Sequence, residues 1–297
     1  MEDYSRSDLA CESGAIVKGD GRLPSEVYCE ERVGDYTVSR LRIRDEENAR
    51  RVGKPQGTYV TVSCGKIWLM DGGEQDALAA LLAKEIRAMC AAACGRGVDR
   101  GFGVLVAGLG NADITPDAIG PDSVRRLNVT RHLRAFDEAL YDTVGRCEIS
   151  AVFPGVLGQT GIETVELIRG AAENARPDVV LAIDALAARS CERLAATVQL
   201  SDNGIHPGSG IGNNRKVICR ETVGVPVVAL GVPTVVNSAT LVYDALRQAG
   251  IDEIRPELRQ VLENGRSFFV SPKESDVITD RVSDLIAQAV DLAFTLA

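Results

Sequence analysis

The chain has 297 residues, of which 45% are hydrophobic and 25% charged, with a formal net charge of −9. That is enough apolar material for a real core, and the charges are well mixed, which excludes a disordered chain. The acidic balance also argues against a phosphate-binding surface, and so against direct nucleic-acid binding.

Residues 1–57 are polar, with Gly and Pro scattered through them. Met1 to Asp8 offer little to bury and are expected to be mobile. Val38, Leu41 and Ile43 suggest a short strand. Tyr59–Val62 and Ile67–Leu69 are short and β-rich. Residues 74–94 predict a helix, because Leu78, Leu81, Leu82, Ile86 and Met89 form one apolar stripe, with Gly95 and Gly97 to end it. From residue 103 the pattern is strand, loop, helix, repeated. Strand 103–108 leads through an acidic loop to a helix that begins near Asp117 and runs, with a break, towards Val144. Strands are expected at Ile149–Phe153, Val179–Ile183, Ala195–Leu200 and Val227–Gly231. Helices are expected at Ile162–Glu173, Val235–Gln248 and Asp276–Ala297.

This alternation implies crossover connections. The predicted fold is α/β, a three-layer α/β/α sandwich with a mostly parallel sheet, in one domain with an N-terminal elaboration. No signal-peptide pattern and no apolar run near ~18 residues is present, so a cytoplasmic protein without a membrane span is expected. Eight cysteines and two histidines, His132 and His206, show no CxxC pair and no zinc spacing. No metal and no cofactor is therefore expected.

Two aspartates stand out. Asp117 lies in the loop after the apolar run 103–108, and Asp184 directly follows Val179–Ile183. Carboxyl ends of buried strands are where open α/β sheets place ligands. Two carboxylates at that edge can perform acid–base chemistry on water. As helix-opening residues, Asp113 and Asp117 also fit simple capping. An ionised Asp184 needs either Arg189 or a hydrogen-bond network as a partner. Gly108-Leu109-Gly110 suggests a dinucleotide fingerprint, but Asp113 occupies the third glycine position and would repel pyrophosphate. The glycines are better read as shaping a tight turn. Residues 201–216 form a glycine-rich loop in which His206, Asn213 and Arg215 are candidate supporting groups. Gly208-Ser209-Gly210 is not a nucleophile elbow.

At these residues the chain resembles the germination protease family of bacterial spores. The resemblance is carried by Gly108–Pro121, Pro154–Thr164, Ala182–Ser190, Gly204–Arg215, Gly231–Val235 and the N-terminal Arg6–Ala10. It implies an aspartic-type endopeptidase that degrades small acid-soluble spore proteins during germination, in the spore core. It implies a fold similar to that of hydrogenase-maturation proteases, with Asp117 and Asp184 as the working pair and no obligatory metal. It further implies a homotetrameric zymogen that removes residues 1–8 by cutting between Asp8 and Leu9, leaving 9–297 as the peptidase domain. The rival readings are a metal-dependent protease using the same aspartates, with His206 as third ligand, and a non-catalytic module that binds the same spore proteins.

Overall fold

The computed structural model describes residues 7–13, 23–208, 215–251, 255–264 and 268–296. Among them, nine strands form one sheet: β1 (Tyr28–Val33), β2 (Tyr36–Ile43), β3 (Gly57–Ser63), β4 (Gly103–Gly108), β5 (Glu148–Val152), β6 (Val179–Ala188), β7 (Thr197–Ser201), β8 (Val227–Asn237) and β9 (Phe269–Val270). The order is β1-β2-β3-β7-β8-β6-β4-β5, with β9 paired to β8. The block β8-β6-β4-β5 is parallel, as expected. The other half is antiparallel, so the sheet is mixed rather than mostly parallel. The antiparallel half is made by β7, which runs against β8, and by the N-terminal meander β1-β2-β3, which joins the sheet through β7.

Side chains along β4 alternate between two cores, as the period-two pleat requires. Val104 and Val106 join a large cluster with the helices Gly72–Cys94 and Ser275–Ala293, through Leu78, Leu82, Ile86, Val282 and Ile286. Leu105 and Ala107 join a second cluster with the helix Thr164–Ala175, through Val165 and Ile168. Each such fully buried Leu, Ile or Val contributes about 1.5–3 kcal/mol relative to exposure. The helix Gly72–Cys94 starts on a capping box between Asp71 and Glu74 and stops at Gly95 in the left-handed region. The apolar stripe and its glycine stop thus lie where the sequence puts them.

Four expectations are corrected. Ile67–Leu69 is a short 3-10 turn rather than a strand. The stretch expected to open one helix near Asp117 is a 3-10 turn, Thr115–Asp117, with Pro116 in its first turn. It is followed by separate helices Ile119–Arg126, Arg131–Phe136 and Glu138–Val144. β8 continues through Val235–Asn237, so the helix begins at Ser238 rather than Val235. β6 does not stop at Ile183 but runs on to Ala188, paired with β8 throughout.

Candidate active site

β4 and β6 run parallel, and their pairing ends at Gly108 opposite Ile183. Asp184 is therefore the first residue of β6 beyond the end of its neighbour. The chain leaving β4 must turn sharply there, and three glycines permit it. A Cβ on Gly108 would lie 2.3 Å from the Gly120 carbonyl oxygen, and one on Gly120 would lie 2.2 Å from the Leu109 carbonyl oxygen. Gly110, with φ +112°, passes so close to Asp117 that a Cβ would sit 2.0 Å from its carbonyl oxygen. The loop folds back on the strand end and brings Asp117 to Asp184.

Both carboxylates line one cleft of about 440 Å³, together with Arg215, Lys216 and residues of the strand ends. Asp184 is only 7% exposed. Burial raises its pKa well above the usual carboxylate range, and the charges of Asp117 and Asp8 raise it further against one opposing bond from the Ala185 N–H. Asp117 is also raised by burial. The Asn111 N–H, 2.7 Å from its Oδ2, and the Arg215 charge oppose the shift. Both carboxyl groups are thus biased towards their protonated forms.

The remaining candidates divide. Arg215 reaches the cleft, while Asp113 stays at the turn surface, where its carboxylate accepts from Gln159 Nε2 at 3.0 Å. Exposed His206 lines an adjoining cavity of about 280 Å³ that also contains Asp184. Asn213 lies outside the described residues. Arg189 gives its backbone N–H to Glu12, 2.7 Å from Oε2. The loop 201–216 is partly tied by an antiparallel bridge between Ile205 and Ile218. Among the described residues, no group of three or more His, Cys, Asp or Glu is placed to hold a metal ion.

The N-terminal segment is the largest departure from expectation. Residues 1–6 lie outside the described residues, but Ser7 and Asp8 are docked rather than loose. The Asp8 N–H donates to the Ala187 carbonyl at 3.0 Å, and the Ala187 N–H donates to the Asp8 carboxylate at 2.9 Å. Asp8 lines both cavities. Leu9 is fully buried against Leu186, Ala188, Leu194 and Val236. Glu12 accepts from the N–H groups of Arg189 and Ser190 and is ion-paired with Arg193. Lys54 Nζ and the Gln199 side chain also bind this segment. Composition missed the docking because the contacts are made by its backbone and by the side chains of Asp8, Leu9 and Glu12. An amide inside strand β7 is the sole sequence signal for Gln199, and Lys54 has none.

Residues 22–249 match the family model of the germination protease peptidases. A germination protease of Clostridium perfringens (strain ATCC 13124) is 38% identical over 321 residues, covering 97% of this chain and 94% of that protein. One from Oceanobacillus iheyensis is 43% identical over 241 residues, covering 80% of this chain and 64% of that protein. One from Priestia megaterium is 41% identical over 255 residues, covering 83% and 67%. The chain belongs to the germination protease family. Its family makes it a spore protease that acts on protein substrates, and no helix among the described residues is long and apolar enough to cross a membrane.

Proposed function

We propose that this chain is an aspartic-type endopeptidase of the spore core, which hydrolyses small acid-soluble spore proteins during germination through Asp117 and Asp184. The observation that carries this reading is a buried Asp184 and a half-buried Asp117 in one cleft, both with raised pKa. Two close carboxylates do not readily ionise together, which separates their roles. Asp117, held by the Asn111 N–H and faced by Arg215, serves as the ionised base that deprotonates the attacking water. Asp184 holds a proton and delivers it to the leaving amine. The two-sided packing of the sheet supports a three-layer sandwich similar to that of hydrogenase-maturation proteases.

The chain is also read as a homotetrameric zymogen, with residues 1–8 as propeptide and 9–297 as peptidase domain. Support comes from the N-terminal segment, which enters the cleft and sets Asp8 beside Asp184. A segment so placed blocks substrate by occupancy, and its Asp8–Leu9 bond is the one the pair is read to cut.

Purified chain incubated with a small acid-soluble spore protein should cleave it and should itself come to begin at Leu9. Intact substrate after prolonged incubation would instead favour a non-catalytic binding module.

A further inference from the structure

We propose that Lys54 and Gln199 form the carbonyl-binding site of this peptidase, the donor pair that holds the scissile carbonyl oxygen and the charge it acquires on attack. The inference rests on the reading of Asp8–Leu9 as a bond the chain cuts. The Asp8 carbonyl oxygen accepts from Lys54 Nζ at 3.2 Å and from Gln199 Nε2 at 3.1 Å. No aspartate is needed for that task, which frees both for proton transfer.

The donors are fixed before any reaction. Gln199 stands on β7, and its Oε1 accepts the Ala10 N–H at 2.6 Å. That bond decides which end of the amide faces Asp8. One side chain thereby grips the backbone on both sides of Leu9. Lys54 follows Gly53, which closes the helix Glu46–Val52 in the left-handed region, so the side chain leaves the helix end. Its ammonium also donates to the Ser7 carbonyl at 2.7 Å. Both residues line the same cavity as Asp8 and Asp184. A buried ammonium is costly unless satisfied. Burial lowers the Lys54 pKa, while the charges of Asp8 and Glu12 work to keep it protonated.

The step balances. A water oxygen bonds to the Asp8 carbonyl carbon as one water proton passes to Asp117. The C=O π pair moves onto oxygen, where the Lys54 ammonium and the Gln199 amide hold it. The pair then returns, the C–N bond breaks, and the Leu9 nitrogen takes the proton of Asp184. Bonds of 3.1–3.2 Å to a neutral carbonyl shorten as charge develops, which is how such donors favour the transition state over the ground state.

The test follows self-cleavage of the full-length chain by intact mass, with amide hydrogen exchange of residues 7–13 reporting whether the segment stays docked. Lys54→Met removes the charge, and Lys54→Arg restores it. Gln199→Glu keeps an acceptor for Ala10 but removes the donor to Asp8. Loss of one such donor is expected to slow cleavage by about 10²–10³-fold, with the segment still protected and with Lys54→Arg recovering much of the loss. Cleavage within about threefold of wild type in Lys54→Met and Gln199→Glu would overturn the donor role. Slow cleavage accompanied by lost protection would also overturn it, since the two residues would then be tethers only. Near-normal cleavage by Asp117→Asn and Asp184→Asn would instead refute the aspartate pair. A wild-type chain that never cuts at Asp8–Leu9 would remove the self-cleavage reading and this inference with it.

Discussion

Substituting Gly110 with alanine puts the geometry of the cleft under direct test. The new Cβ would lie 2.0 Å from the Asp117 carbonyl oxygen and 3.1 Å from its Oδ1. Ordinary contact begins near 3.4 Å, so the Asp117 backbone must retreat by about 1.4 Å. The φ of +112° adds backbone strain of about 1–3 kcal/mol for a residue with a side chain. Stability therefore falls by roughly that amount, a melting shift of about 2–4 °C per kcal/mol for a chain of this size. The effect on rate is larger. A carboxylate displaced by about 1 Å from its working position loses roughly 10²-fold in kcat. The assay is peptide hydrolysis at saturating substrate, beside a thermal melt. A folded Gly110→Ala protein with wild-type kcat would refute the claim that this turn positions a working Asp117.

Other outcomes follow from the same geometry. Asp113→Asn should change kcat by less than about threefold, because that exposed carboxylate is bonded to Gln159 at the turn surface; a loss as deep as that of Asp117→Asn would move the site. Asp184→Asn should stabilise the fold at neutral pH, by about 0.5–2 kcal/mol, since a site built for function gives up stability. The folded pKa of Asp184 is raised, so its favourable contribution is whole below the unfolded value near 3.8 and is lost as pH rises through the folded value. Urea midpoints of wild type and Asp184→Asn should therefore converge on acidification and part as pH rises; a constant gap would contradict the raised pKa. Exhaustive chelation should leave hydrolysis unchanged within about twofold, since no metal-holding group exists among the described residues. Loss of activity restored by one defined metal would favour the metal-dependent reading.

Much of the parallel block was legible in the sequence, since apolar runs such as Val104–Ala107 and Val179–Ile183 encode buried strands directly. The end of β6 was not. Asp184 interrupts an apolar run and invites a strand end, yet Ala185–Ala188 continue it because β8 goes on supplying hydrogen bonds. The two aspartates were legible by position, and the glycines between them by their spacing. That Gly110 and Gly120 each exclude a Cβ is a tertiary fact, set by the loop folding back so that Gly110 lies against Asp117 and Gly120 against Leu109 and Ile183. The docking of Ser7–Ser13 escaped composition, because its bonds are to residues far away in the chain. Leu9 reads as one apolar residue in a polar stretch until Leu186 and Leu194 are seen around it.

The kcat of well-folded Asp117→Asn and Asp184→Asn proteins on a spore-protein substrate tests the central claim most directly. Each amide keeps the shape of the side chain but can neither accept the water proton nor deliver one. The account predicts that kcat falls by at least about 10²–10⁴-fold in both, with melting temperatures at or above wild type for Asp184→Asn. Either variant cleaving substrate at a near wild-type rate would contradict it.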